Sequence, residues 1–159
     1  MKKKSWIIIT CLIILIVVVA LALKLTAQPA ENSSTAVSRP PISINYSNME
    51  SMLSKNELVK NLPSTGIILL KFYSIKEGSK IFEKSYVIKK GDVKEGEEKA
   101  DITLEVDSKY LKVLTDQNFC STMQSAQENG DFNSYTSISK TSLLWKYRGM
   151  LKYRSCLGL

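Results

Sequence analysis

The chain has 159 residues, 44% of them hydrophobic and 23% charged, the balance of one folded domain with an appendage. It contains no histidine, so the commonest general base, proton switch and metal ligand are all missing. The net charge of +7 is uneven: from residue 42 onward 17 basic residues stand against 14 acidic ones, too nearly balanced for the concentrated basic face of a nucleic-acid binder.

Residues 1–5 include Lys2, Lys3 and Lys4, and an uncharged run follows from Trp6 to Leu23. About 18 apolar residues suffice to cross bilayer hydrocarbon as a helix, whereas a cleaved signal peptide has a shorter core of about 7–15. The expectation is a single-pass signal-anchor helix over 6–23. Positive charge stays inside. Residues 1–5 are therefore expected in the cytoplasm, with the rest of the chain extracytoplasmic at the cell membrane. Small residues at Ala20, Ala22 and Ala27 leave cleavage as an alternative.

Residues 24–43 read as a flexible linker, with Pro29, Pro40 and Pro41 among Ser, Thr and Asn. Asn32-Ser33-Ser34 and Asn45-Tyr46-Ser47 fit the N-glycosylation pattern, which is short and common by chance. An extracytoplasmic domain is expected over 44–159.

That domain opens on a helix. Ser47 and Glu50 have capping-box spacing, Met49, Met52, Leu53, Val59 and Leu62 share a face, and Pro63 and Gly66 end the segment. Residues 67–75 and 80–89 are β-rich runs around the Gly78 turn and predict a hairpin. Residues 91–98 read as a charged loop. Ile102, Leu104 and Val106 alternate with Thr103 and Glu105, the pattern of a strand buried on one face. Asp107 or Ser108 caps a short helix carrying Tyr110, Leu111 and Leu114, and a second short helix holds Phe119, Met123 and Ala126. Residues 132–138 suit a further strand. Ser139 or Thr141 caps a final helix over 142–155. The order predicts an α+β domain: a small, mostly antiparallel sheet with helices on one side.

On the final helix Leu143, Leu144, Tyr147, Met150 and Leu151 form one apolar face, with Trp145, Arg148 and Lys152 opposite. A core-facing helix with a solvated basic side explains this. So does contact of Trp145, Arg148 and Lys152 with a membrane surface, since tryptophan and basic residues favour anionic interfaces. Seven acids between Asp92 and Asp107 lack the spacing of a calcium loop, and Lys94 and Lys99 interrupt them, so they read as a solvated loop. Outside the cytoplasm, Cys120 and Cys156 are expected to form a disulfide, with two buried thiols as the alternative. No nucleophile elbow, phosphate loop or dinucleotide fingerprint occurs. Neither catalysis nor a cofactor or metal is expected.

The stretch from Ala100 to Leu114 resembles the sterol carrier protein type 2 family. It matches that family's acidic loop, alternating strand, acidic cap and short helix at Asp101, Ile102, Leu104, Asp107, Leu111 and Leu114. The order of elements from Ser47 to Ser155 is similar too. The resemblance implies a fold enclosing an apolar tunnel between sheet and helices, with a lipid or fatty acyl chain as ligand. It places Leu111, Leu114, Phe119, Met123, Tyr147, Met150 and Leu151 at the cavity. Met and aromatic side chains suit an adaptable apolar site, though the same residues also suit a filled core. A filled core would favour the alternative function, a non-enzymatic structural or interaction module with an envelope protein as partner.

Overall fold

A computed structural model describes residues Pro40–Leu159, which form one compact unit. The expected anchor over 6–23, and the linker as far as residue 39, lie outside the described residues. Among the described residues no helix is long and apolar enough to cross a membrane.

The packed chain begins slightly before residue 44. The Ile42 N–H donates to Asp116 Oδ1 at 3.0 Å, Ser43 bridges Thr115, and the Ile44 N–H donates to the Leu114 carbonyl at 2.8 Å. Backbone hydrogen bonds thus already tie down the last residues expected in the linker.

The single first helix of the sequence reading is two short ones, α1 (Met49–Leu53) and α2 (Glu57–Lys60). Asn56 causes the break. Its Oδ1 accepts from the Leu58 N–H at 2.9 Å, so its side chain starts a new helix in place of continuing the old one. The Ser47–Glu50 capping box does not form. Asn45 Oδ1 takes the N–H groups of Ser47 and Asn48, while Glu50 Oε1 accepts from the Glu95 N–H at 2.7 Å, tying α1 to the sheet.

Strands β1 (Ile68–Lys76) and β2 (Ser79–Lys89) make the expected hairpin. Its turn residues Glu77 and Gly78 have φ of 51° and 77°, the pair of left-handed conformations that the tightest hairpin turn requires. Residues 92–95, read as loop, form strand β3 (Asp92–Glu95) on the outer edge of β2. Charged side chains are compatible with an edge strand exposed on both sides of its one buried residue, Val93. Strand β4 (Ile102–Asp107) pairs with β1 in parallel, Ile68 opposite Ile102, and with β5 (Phe132–Thr136) antiparallel. The sheet order is β3-β2-β1-β4-β5, so it is mixed, with one parallel pair at its centre. Parallel neighbours need a crossover connection, and β2 and β3 occupy the chain between β1 and β4.

Asp107 Oδ1 caps the 3₁₀ segment Ser108–Lys112 through the Lys109 N–H at 2.9 Å. Helix α3 runs Phe119–Glu128. The final helix starts earlier and ends sooner than expected. It is α4 (Lys140–Lys146), capped by Ser139, followed by the 3₁₀ segment Arg148–Tyr153. Alternate strand residues Ile68, Leu70 and Phe72, Tyr86 and Ile88, and Ile102, Leu104 and Val106 meet Met49, Leu58, Phe119 and Met123 in one hydrophobic core. The other sheet face carries ion pairs: Lys71 with Glu97 at 2.7 Å and Lys80 with Glu105 at 3.1 Å. With Lys84–Glu95 and Lys89–Glu98, these occupy most of the acidic run.

Candidate functional site

The geometry of the C-terminal segment starts at Asp101, on the turn into β4. Its Oδ2 accepts from the Ile67 N–H at 3.0 Å and the Tyr147 hydroxyl at 2.8 Å, and Lys146 Nζ lies 2.8 Å away. Burial by itself would raise the Asp101 pKa. The Lys146 ion pair and the two hydrogen bonds outweigh it and hold the carboxyl below its ordinary value. Tyr147 is pushed the other way, first by burial and then by donating to that carboxylate. One acid thus pins the end of α4 to the start of the sheet. Gly66 sits beneath the contact, where an added Cβ would meet the Tyr147 hydroxyl at 3.1 Å.

The chain's last residues are pinned separately. Cys156 is joined to Cys120 of α3 by a disulfide, with the Cα atoms 4.8 Å apart. The Ser134 hydroxyl of β5 donates to the Leu157 carbonyl at 2.7 Å. Gly158 has φ of 66°, and a Cβ there would stand 2.7 Å from the Phe132 ring, so conformation and space both require glycine.

Between these two attachments lies a hollow of about 180 Å³. Its walls are Leu143, Tyr147, Met150 and Leu157, all at least half-buried. Leu144, Leu151, Arg154 and Leu159 form its exposed rim. Arg154 is the one charged residue of the lining.

Of the residues singled out in the sequence, Tyr147, Met150 and Leu151 come together at this hollow. Leu114, Phe119 and Met123 do not. Each is about 1% exposed and packed in the main core, and Leu111 packs against that core's edge. The space between sheet and helices, where the resemblance implies a tunnel, is occupied by Phe72, Tyr86 and Phe119. The apolar face expected on the final helix is also divided. Tyr147 and Met150 are buried, whereas Leu144 is 61% exposed and Leu151 54%. Trp145 is 70% exposed, with the Arg148 guanidinium 6.0 Å from its ring centre, and Lys152 is exposed next to Leu151.

Leu157, Leu159 and Arg154 belong to the hollow and were not foreseen. Their only signal in the sequence is Cys156, since a disulfide there draws the following residues onto the fold.

No family model and no curated protein matches this chain. Solved structures similar to it include sterol carrier protein domains. Domain 2 of the Helicoverpa armigera sterol carrier protein is 20% identical, with a TM-score of 0.39 over 71% of this chain and 85% of that one. A ubiquinone synthesis protein, UbiJ-SCP2, is 11% identical, with a TM-score of 0.38 over 67% and 86%. A conserved hypothetical protein of Thermus thermophilus, described with reference to sterol carrier proteins, is 15% identical, with a TM-score of 0.33 over 70% and 86%. Likeness at this level says nothing of what the present chain binds.

Proposed function

We propose that residues 40–159 are a non-enzymatic domain that binds an apolar ligand in the hollow beside α4. In this reading the run over 6–23 anchors the domain to the cell membrane, on the extracytoplasmic side. The observation that carries the binding is the hollow itself, with apolar walls from Leu143, Tyr147, Met150 and Leu157 and a mouth between Leu144 and Leu151. Such a lining offers an apolar ligand dispersion contacts and no competing hydrogen bonds.

Size narrows the ligand. Pockets that enclose a drug-sized molecule measure roughly 300–1,000 Å³. The hollow, at about 180 Å³, takes a segment of an acyl or isoprenoid chain and leaves the rest outside. Arg154 at the rim is placed for an anionic head at the exposed end.

The test uses residues 40–159, a compact unit with its own core, purified without detergent. Native mass spectrometry and titration with a fluorescent fatty acid should both give about one ligand per chain. Leu151→Trp, which closes the mouth from an exposed position, should abolish uptake and leave the fold intact. An empty wild-type domain that takes up no fatty acid would refute the proposal. The function would then be the alternative one, contact with an envelope protein, which the exposed Leu144, Trp145 and Leu151 also favour.

A further inference from the structure

We infer that the exposed face of α4 and the 3₁₀ segment after it is a docking surface for an anionic lipid bilayer. Trp145, Leu144 and Leu151 would enter the interface, and Arg148, Lys152 and Arg154 would meet the lipid phosphates.

The charge distribution comes first. Residues 42–139 carry 12 basic and 14 acidic side chains, whereas residues 140–159 carry five basic and none acidic. The whole positive surplus of the folded part is therefore in its last two segments. Elsewhere most of the lysines have an acidic partner, as in Lys71–Glu97, Lys80–Glu105 and Lys109–Asp131. Lys55, Lys76, Lys90, Lys99 and Lys112 take part in none of the ion pairs of the described residues, and these lie among the acids of a segment with no positive surplus. Of the five basic residues in 140–159, only Lys146 is paired, with Asp101. Lys140, Arg148, Lys152 and Arg154 take part in none of the ion pairs of the described residues.

The apolar side chains lie among these charges. Leu144 and Trp145 lie in the last turn of α4, Arg148 opens the 3₁₀ segment after it, and the Arg148 guanidinium stands 6.0 Å from the centre of the Trp145 ring. An exposed tryptophan flanked by unpaired cations, next to exposed leucines, is the composition that lies in a headgroup region. A protein partner would have to present a matching acidic patch, and interface centres are depleted of lysine. The one-signed rim favours the bilayer. The surface shares Leu144, Leu151 and Arg154 with the hollow's rim, whereas Trp145, Arg148 and Lys152 do not line it, so those three residues test docking separately from uptake.

The chain has two tryptophans, Trp6 and Trp145, so Trp6→Phe leaves Trp145 as the sole reporter. The full-length W6F chain would be reconstituted into phosphatidylcholine vesicles with or without phosphatidylglycerol, each carrying nitroxide-labelled lipid. The expected result is a blue-shifted Trp145 emission, quenched several-fold more strongly by labelled lipid when phosphatidylglycerol is present. Added salt should weaken the effect. The double charge reversal Arg148→Glu, Lys152→Glu, at exposed positions, should abolish it without changing the circular dichroism. Emission that is the same in both vesicles and quenched by aqueous iodide would overturn the inference and assign the patch to a protein partner. Fatty-acid uptake by the same variants is scored separately. Docking lost with uptake retained concerns this surface alone, and uptake absent with docking retained concerns only the hollow.

Discussion

Asp101 gathers three donors onto one carboxylate oxygen, from Ile67, Tyr147 and Lys146, with a side chain only 12% exposed. Replacing it by Asn keeps an acceptor but removes the charge, and leaves Lys146, itself 27% exposed, without its partner. Losing a hydrogen bond to a charged, part-buried group costs on the order of 1–3 kcal/mol. Asp101→Asn should therefore lower the chemical-denaturation stability of residues 40–159 by about that much at pH 7. The sign of the pH dependence follows from the lowered pKa. The stabilisation is fully present above the unfolded carboxylate pKa of about 4 and is lost as pH falls through the lower folded value. The gap between wild type and variant should stay constant from pH 7 to about 5 and narrow below about 4. A gap that is already closing near neutral pH would mean that the clamp is not electrostatic. Asp101 was legible in the sequence as the first position of a strand-to-helix motif. Its contact with Lys146 and Tyr147 was not, because a partner 45 residues away leaves no local pattern.

At the scale of elements, reading the sequence succeeded where one element decides its own fate. The alternation of Ile102, Leu104 and Val106 located β4, Asp107 capped the turn after it, and Glu77-Gly78 closed the hairpin. It failed where a neighbour decides. Residues 92–95 carry a loop's composition and become a strand because β2 offers them an unpaired edge. The parallel pairing of β1 with β4 has no sequence signature at all. Periodicity identified Phe119 and Met123 as buried but could not say whether they face other side chains or a cavity. The disulfide joins two such elements, α3 and the C-terminal segment, across 36 residues of chain. Closing a loop of that length stabilises a fold by about 3–4 kcal/mol in the chain-entropy account. Its reduction should loosen residues 148–159 first, leaving them held by Asn61 donating to the Tyr153 hydroxyl at 3.0 Å, Gln124 donating to Ser155 at 2.8 Å, Ser134 donating to the Leu157 carbonyl at 2.7 Å and the burial of Met150 and Leu157. Amide exchange with and without reductant tests this. Faster exchange should be confined to the C-terminal segment, with β1 and β4 unchanged. Uniform exchange in both states would show that the bond adds nothing local.

For the domain as a whole, the candidate site is an outer end of the core, since its walls Tyr147, Met150 and Leu157 belong to the same hydrophobic cluster as the strand residues. The core is the single cluster under the sheet, closed by side chains such as Phe72, Tyr86 and Phe119. The hollow sits at one end, built from two short segments that are tied to the sheet through Asp101 and Ser134 and to α3 through the disulfide. Because the hollow exists only when those segments are docked, ligand binding must stabilise the docked state. At a free ligand concentration of 100 times Kd the gain is about 2.7 kcal/mol, provided the unfolded chain does not bind. A fatty acid at that excess should raise the denaturation midpoint of residues 40–159 accordingly, and slow amide exchange in α4 and the residues after it more than in the strands. Leu151→Trp should remove both effects. If the acid instead protected β1, β2 and β4 most strongly, the ligand would be entering between sheet and helices, displacing Phe119 and its neighbours, and the site would be the tunnel that the family resemblance implied.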